Sequence, residues 1–217
     1  MPRAVIVGEP TGLEVADAHK GIVTFRTVVH GHEAHSSKPG LGANAIPAAC
    51  ELVAELTRIQ ADMEKRGDPT GRFGPPCTTL HVGTFEGGTA RNILARHCEF
   101  QWEYRTVPGL DPQEIPGRFA RHVETVVLPL LNRYGDYGRV ETIVTADVPC
   151  LAPDPGNAAE TLALRLAGRN TTITVPYATE AGQFQTKGIP TVGCGAGSID
   201  QAHQPDEYIT LAALAEG

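Results

Sequence analysis

His203 lies in a stretch of the sequence whose residue types point to metal chemistry. The stretch, residues 197–208, is polar and places the carboxylates of Asp200, Asp206 and Glu207 near this histidine. Carboxylates of this kind can orient an imidazole that binds a metal ion. The stretch also follows an apolar run that predicts a strand, and open α/β sheets place their sites after strands. A lone histidine is more often an ordinary surface residue, and composition alone favours that alternative.

A second candidate ligand, Glu9, follows the apolar run of residues 4–8, which is typical of a buried strand. If this strand lies beside the one that ends near Cys194, Glu9 comes close to the loop that leads to His203. The alternative is a glutamate that caps a turn beside Pro10. The pairing of two strands therefore decides between a metal ligand and a turn residue at Glu9.

Three further candidates lie in the middle of the chain. The histidines at positions 30, 32 and 35 have neither the helical nor the finger spacing of a zinc site, which favours His35 as a hydrogen-bond donor on a loop. Asn92 and Arg105 lie on either side of a predicted strand pair. An arginine fork can bind a carboxylate, and an asparagine amide can donate to an oxyanion. The alternative for both is a polar residue on an edge strand.

Composition limits the class of protein. The chain has 217 residues, a net charge of -7 and 41% hydrophobic residues, so it can form a core but lacks the basic surface that nucleic acid requires. No apolar run reaches the roughly 20 residues of a membrane span. The five cysteines include no C-x-x-C pair, which is typical of reduced thiols in a cytoplasmic protein.

The hydrophobic pattern predicts the elements that must position these residues. Between residues 22 and 147 the predicted order is β-α-β-β-α-β, the ferredoxin-like arrangement of one four-stranded sheet with two helices on one face. The helices are predicted over residues 44–66 and 112–134. The residues on either side alternate between strands and helices, which favours a parallel α/β sheet. Such a sheet with few strands is incomplete, because it cannot cover both of its faces.

The chain is therefore an α/β protein in which a ferredoxin-like unit is inserted into an incomplete α/β domain. We predict pieces of the α/β domain at residues 1–20 and 148–217 and the inserted unit at residues 21–147.

Seven segments, in order, resemble the zinc aminoacylase and acetylornithine deacetylase family of metallopeptidases. They are residues 7–11, 18–21, 31–37, 86–93, 102–105, 179–182 and 197–208. One such segment is weak support, but seven in family order cover nearly the whole chain. The resemblance implies a catalytic α/β domain with an inserted ferredoxin-like lid through which two copies form a homodimer.

The resemblance also implies the roles of individual residues. It implies two zinc ions, with cobalt as the alternative metal, and places Glu9 on one ion and His203 on the other. His35 matches a lid histidine that reaches the active site, in relatives from the partner subunit, and stabilises the oxyanion. The remaining matches bind substrate or line the pocket: Asn92, Arg105, Thr179, Glu180 and Gly195.

The sequence departs from the family pattern at its start. In the family, a histidine ligand, the bridging aspartate and the glutamate base lie upstream of the Glu-Pro-Thr turn, and only eight residues precede Glu9 here. We therefore expect the chain to match the second half of such an enzyme, to bind zinc weakly by itself and to lack turnover.

The substrate implied by the resemblance is a small N-acyl amino acid. N2-acetyl-L-ornithine is favoured, with hydrolysis to L-ornithine and acetate, a step of arginine biosynthesis. Two alternatives stay open. One is another acyl-amino-acid amidohydrolase or dipeptidase of the same family, and the other is a non-catalytic dimerisation or ligand-binding module.

Overall fold

The protein is described by a computed structural model that covers residues 2–217. The strands are β1 (Val5–Val7), β2 (Val15–His19), β3 (Ile22–His30), β4 (Thr79–Gly87), β5 (His97–Arg105), β6 (Arg139–Val148), β7 (Thr172–Val175) and β8 (Thr191–Gly193). The helices are α1 (Ala45–Arg66), α2 (Glu114–His122), α3 (Leu128–Leu131), α4 (Ala158–Ala167), α5 (Ala181–Gln185) and α6 (Leu211–Glu216). Within residues 2–217, no helix combines the length and apolarity needed to cross a membrane.

Strands β3 to β6 form one antiparallel sheet in the order β4-β5-β3-β6. With α1 between β3 and β4, and α2 and α3 between β5 and β6, this is the predicted ferredoxin-like order. We call the unit built on this sheet the lid. The mixed α/β fold with an inserted ferredoxin-like unit is thus confirmed.

The lid core lies between its sheet and its helices. Phe25 stacks on Trp102 with ring centroids 4.1 Å apart, and Phe119 of α2 packs against the other side of the indole at 4.9 Å. The Trp102 Nε1–H group donates to Thr27 Oγ1 at 3.0 Å, so the buried polar atom is satisfied. Each large apolar side chain buried here contributes about 1.5–3 kcal/mol of transfer free energy.

One long helix was predicted over residues 112–134, but the chain forms two helices separated by a π-helical turn at Val123–Val127. The apolar period cannot reveal this turn, because one extra residue per turn shifts the buried face only locally. The segment ends near Asn132, whose side-chain oxygen accepts from the main-chain N–H groups of Tyr137 and Gly138 at 2.8 Å.

The other strands form a second sheet in the order β1-β8-β2-β7. We call this sheet, with α4 to α6, the flanking unit. Strands β1 and β8 are parallel, as are β2 and β7, but β2 and β8 run antiparallel at Ala16 and Gly193. The prediction of a wholly parallel sheet is wrong. The lid is inserted after β2, so the local alternation of strands and helices carries no information about the direction of β2.

Two chain crossings join the lid to the flanking unit, one after β2 and one after β6. Main-chain hydrogen bonds fasten them: His19 pairs with Leu151 in both directions, at 3.1 and 3.2 Å, and Gly21 pairs with Thr106 at 3.0 and 3.1 Å. The lid and the flanking unit are therefore held together by backbone pairing directly at the crossings.

A lid loop, residues 67–78, adds a third attachment. Arg72 forms two hydrogen bonds with the buried carboxylate of Asp17 on β2, at 2.6 and 3.1 Å. The Lys20 side chain is 1% exposed, and its ammonium donates to the carbonyls of Pro75 and Cys77 at 2.8 and 2.7 Å. Phe73 packs beside these polar contacts with Ala18 of β2. The loop therefore fixes the lid against the edge of the flanking sheet.

Candidate functional site

Glu9 and Gly195 lie side by side because β1 and β8 are parallel neighbours. Cys194 donates its main-chain N–H to the carbonyl of Val7 at 2.9 Å, which extends the pairing past the strand ends. A Cβ atom at Gly195 would lie 2.6 Å from the carbonyl oxygen of Glu9, so only glycine fits this approach. The neighbouring strands that a site at Glu9 requires are therefore present.

Thr11 fastens the turn after Glu9 to the loop after β8. Its Oγ1 donates to the carbonyl of Glu14 at 2.7 Å and accepts from the N–H of Gly195 at 3.2 Å. Gly12 donates its N–H to the carbonyl of Gly197 at 2.8 Å. These hydrogen bonds join the two loops, one of which begins at Glu9 and the other of which leads to His203.

Glu180 brings a second carboxylate to this region. Burial, followed by the negative charge of Glu180, raises the pKa of Glu9 above its ordinary value. Burial, followed by the charge of Glu9, also raises the pKa of Tyr177. Thr179 is buried and accepts the N–H of Ala181 at 3.0 Å, which sets the start of α5 and leaves Glu180 exposed. A bound cation would reverse this effect on Glu9, because a positive charge favours the ionised carboxylate.

His203 lies on the exposed loop between the 3-10 turn Ile199–Gln201 and α6. Its backbone has a φ of +61°, and its N–H donates to Glu207 Oε2 at 3.0 Å. The nearby carboxylates were expected to orient the imidazole, yet Glu207 bonds the main chain, and none of the described carboxylates bonds the His203 ring. The left-handed backbone at His203 explains the difference, because it turns the N–H toward Glu207.

The chain by itself does not assemble a three-ligand metal site. Among residues 2–217, no group of three or more histidine, cysteine, aspartate or glutamate side chains has the geometry to hold an ion. A catalytic zinc takes about three protein ligands. The donor types of Glu9 and His203 suit zinc, but further ligands are needed to complete a site around either of them.

His35 and Asn92 lie together at the tip of the lid. His35 forms a β-bridge with Ile93, and the N–H of Ser36 donates to the carbonyl of Asn92 at 2.9 Å. The His35 Nδ1 atom accepts the N–H of Ser37 at 3.2 Å. An acceptor at Nδ1 places the proton of a neutral imidazole on Nε2. His35, which is exposed, therefore has the tautomer of a donor.

The lid tip is far from the flanking unit. Strand β5 runs from His97 near the tip to Arg105 near the crossings, where Arg105 Nε donates to Glu103 Oε1 at 2.9 Å. Eight residue steps along a strand span about 26 Å. His35 and Asn92 lie beyond the far end of β5, so one chain does not bring them to Arg105.

Two concavities are candidates for a substrate pocket. One of about 250 Å³ lies beside the proposed ligand loops and is lined by Pro10, Thr11, Tyr177, Gly197 and Ser198 among others. Another, about 460 Å³, lies on the lid sheet, with Glu86, Arg96 and His97 in its wall. The smaller one is adjacent to Glu9, so it is the better candidate for a substrate pocket.

His19 and Lys20 are functional candidates to which the sequence assigned no role, although they lie within a segment that matches the family. Both are 1% exposed. Burial lowers the pKa of His19, against the raising effects of the Lys20 carbonyl and Glu180. The sequence carried one signal of their importance, because two adjacent ionisable residues stand within the matched segment 18–21.

Comparison with known proteins agrees with this architecture. Residues 17–129 match the model of the peptidase dimerisation domain of M20 peptidases. An acetylornithine deacetylase of Pectobacterium carotovorum subsp. carotovorum (strain PC1) is 34% identical over 210 residues, which cover 96% of this chain and 52% of that protein. The chain thus spans about half the length of this curated relative.

Solved structures share the fold at low sequence identity. A tripeptidase from Staphylococcus aureus subsp. aureus Mu50 aligns over 97% of this chain and 52% of its own, with a TM-score of 0.68 and 23% identity. An M20 family metallo-carboxypeptidase from Sulfolobus solfataricus aligns over 100% of this chain and 61% of its own, with a TM-score of 0.66 and 16% identity. The chain belongs to the M20 peptidase family and carries that family's dimerisation domain.

Proposed function

We propose that this chain supplies the lid and part of the catalytic domain of a metal-dependent amidohydrolase that acts on N-acyl amino acids. The favoured reaction is hydrolysis of N2-acetyl-L-ornithine to L-ornithine and acetate. The observation that carries the proposal is the parallel pairing of β1 with β8, which places Glu9 against Gly195, in a chain 34% identical to an acetylornithine deacetylase. The domain bounds 1–20, 21–147 and 148–217, and a cytoplasmic location, are part of this proposal.

Glu9 and His203 are the proposed metal ligands, each on a different one of two zinc ions, with cobalt as the alternative. When bound, zinc supplies Lewis-acid chemistry and lowers the pKa of water. Burial and the negative charge of Glu180 disfavour the ionised form of Glu9. A bound cation would favour that ionised form. Thr179, Glu180 and Gly195 are the proposed residues of the substrate-binding loops, and their neighbours Tyr177 and Gly197 form part of the wall of the 250 Å³ concavity. At Gly195 the tight approach to Glu9 leaves no room for a side chain.

Lid residues complete the proposed chemistry. His35 donates from Nε2 to the oxyanion, a contribution of about 3–4 kcal/mol for one such donor. Asn92 and Arg105 bind the substrate, Arg105 through its guanidinium fork. Because the lid tip lies about 26 Å or more from the crossings, His35 and Asn92 serve the site of a partner subunit. Homodimerisation through the lid is therefore part of the proposal.

The chain alone is expected to be inactive. Each proposed ion keeps one ligand from this chain, whereas about three are needed, and the glutamate base implied by the family pattern lies outside this sequence. Calorimetric zinc titration and an N-acetylornithine deacetylation assay test this expectation. Weak zinc binding without turnover agrees with it, and robust hydrolysis by the isolated chain contradicts it.

A fused protein tests the reaction itself. In it, this chain follows the upstream half of the Pectobacterium relative, the part that the match leaves uncovered. We expect hydrolysis of N2-acetyl-L-ornithine, with weaker hydrolysis of other N-acyl amino acids and of dipeptides. Glu9→Ala and His203→Ala should each lower the rate at least about 100-fold. His35→Ala should lower it about 100- to 1,000-fold, while Ser37→Ala serves as the neighbouring control. Preferential cleavage of dipeptides would show that the enzyme is a dipeptidase and not an N2-acetyl-L-ornithine deacetylase.

A second candidate function is a non-catalytic dimerisation module. The favouring observation is the continuous lid core, which joins Phe25, Trp102 and Phe119 without residues of the proposed site. Light scattering of the metal-free chain separates the alternatives. A stable dimer combined with an inactive fused protein supports the module, and an active fused protein excludes it as the sole role.

A further inference from the structure

His19 is buried at the end of β2, where the chain leaves the flanking unit for the lid. Both of its ring nitrogens have partners. Nδ1 lies 2.9 Å from the carbonyl oxygen of Lys20, and Nε2 accepts the N–H of Gly182 at 3.2 Å. A carbonyl only accepts and an amide only donates, so the ring is the neutral tautomer with its proton on Nδ1. The bond from Gly182 connects residues 163 positions apart in sequence.

Gly182 lies in the first turn of α5, where main-chain N–H groups have no partner within the helix. Thr179 Oγ1 accepts the N–H of Ala181 at 3.0 Å, and His19 accepts the next one. Glu180 lies between these two anchors, with its own side chain exposed. The two acceptors together therefore fix the backbone that carries Glu180.

The same turn is wedged against the second chain crossing. A Cβ atom at Gly182 would lie 2.1 Å from the carbonyl oxygen of Pro149 and 2.8 Å from that of Cys150. Gly182 therefore touches the crossing after β6 through its α-carbon, and the crossing after β2 through His19. This one glycine links the Thr179–Gly182 turn to both connections with the lid.

We propose that His19 is a positioning residue: its Nε2 atom holds the Thr179–Gly182 turn against the lid crossing and thereby fixes the backbone position of Glu180. The catalytic consequence rests on the proposed function. The positioning itself is a property of this chain, so it is tested without any hydrolysis.

Two matched substitutions separate the two ring nitrogens. The amide of glutamine reaches the position of Nε2, whereas the amide of asparagine reaches that of Nδ1. His19→Gln therefore keeps an acceptor for Gly182, and His19→Asn removes it. We expect the Gly182 amide to exchange with solvent about tenfold faster in the asparagine variant, the size expected for one lost hydrogen bond, and to stay within about twofold in the glutamine variant. Equal acceleration in both variants, or none in either, overturns the proposal.

A measurement on the unaltered chain covers the case in which a variant fails to fold. A long-range ¹H–¹⁵N spectrum of the imidazole reports which nitrogen carries the proton. The proposal requires the proton on Nδ1 and an unprotonated Nε2. A proton on Nε2 overturns it, because that nitrogen then has no lone pair for Gly182.

The fused protein adds a kinetic readout. His19→Asn should lower kcat about tenfold with little change in KM, and His19→Gln should recover most of the loss. Equal loss in both variants contradicts the positioning role. A fused protein that hydrolyses nothing even with His19 intact refutes the proposed function, while the exchange results still decide the positioning.

Discussion

The lid and the flanking unit differ in the core that supports their functional loops. In the lid, large side chains such as Phe25, Trp102 and Phe119 form one continuous cluster with α1 and α2. In the flanking unit, the buried cluster around β8 consists of Val15, Ala159, Ala163 and Val192. Several of its leucines are exposed, among them Leu166 and Leu211. From this difference we expect the lid to contribute more of the folding stability of the chain than the flanking unit does.

Trp102→Ala should cause the largest loss of stability, and this loss arises in the lid core. The indole packs between Phe25 and Phe119, so its removal leaves a cavity in the lid core that costs about 4 kcal/mol of unfolding free energy. Urea unfolding followed by far-UV circular dichroism measures the loss. Trp102→Phe is the control, since it keeps the stacking and should cost much less. A loss below about 1 kcal/mol for the alanine variant would show that this core is not the main support.

Glu55→Gln tests the ion-pair cluster that joins α1 to α2. Burial by itself raises the pKa of Glu55. Hydrogen bonds from Arg58 and Arg118, each 2.7 Å long, outweigh this effect, so the pKa is lowered overall. We expect a loss of about 2 kcal/mol at pH 7. A lowered folded-state pKa stabilises the fold above the ordinary glutamate pKa, and this contribution is lost as the pH falls through the lowered value.

The pH dependence supplies the control for this cluster. The gap in unfolding free energy between the wild type and Glu55→Gln should therefore close in acid. A gap that stays constant between pH 7 and pH 3 would contradict the assignment of the cluster as the cause.

Arg72→Met should loosen the flanking unit while leaving the lid intact. The change leaves the buried Asp17 carboxylate without its two hydrogen bonds from Arg72 and should cost about 1.5 kcal/mol, since Arg72 is partly exposed. Hydrogen exchange resolved by segment should show faster exchange in β2 and β7 and unchanged exchange in β3 and β5. Arg72→Lys, which keeps the charge, serves as the control. Equal acceleration in both units would mean that they unfold as one.

A matched pair of buried valines compares the cost of the same truncation in the two cores. Val29 in the lid and Val192 in the flanking unit are both 0% exposed. Val29→Ala should cost about 2 kcal/mol and Val192→Ala about 1 kcal/mol, because the small residues around Val192 can close over the gap. Thermal unfolding of both variants gives the difference. A larger cost at Val192 would reverse the ranking of the two cores.

Local patterns predicted the elements well, because periodicity is a property of neighbouring residues. The helix predicted over residues 44–66 forms as α1, Ala45–Arg66, and its apolar side chains pack against the lid sheet. The direction of β2 was not predictable, since it depends on the pairing of Ala16 with Gly193, which lies 177 residues away in sequence.

Within the candidate site, the sequence predicted which residues take part but not which contacts they form. The sequence placed Glu9 close to the loop after Cys194 on the condition that the two preceding strands are neighbours, and β1 and β8 do pair. The bond from Gly182 to His19 joins distant segments and leaves no periodic trace. The Glu207 contact with the main chain at His203 follows from a left-handed backbone that the sequence did not indicate.

The central claim is that two chains share the site, with Glu9 from one and His35 from its partner. Mixing two inactive forms of the fused protein, Glu9→Ala and His35→Ala, tests it most directly after subunit exchange. Half of the dimers are then mixed and each has one intact site, so activity should return to about a quarter of the unmodified value. A mixture as inactive as its two components would contradict the claim.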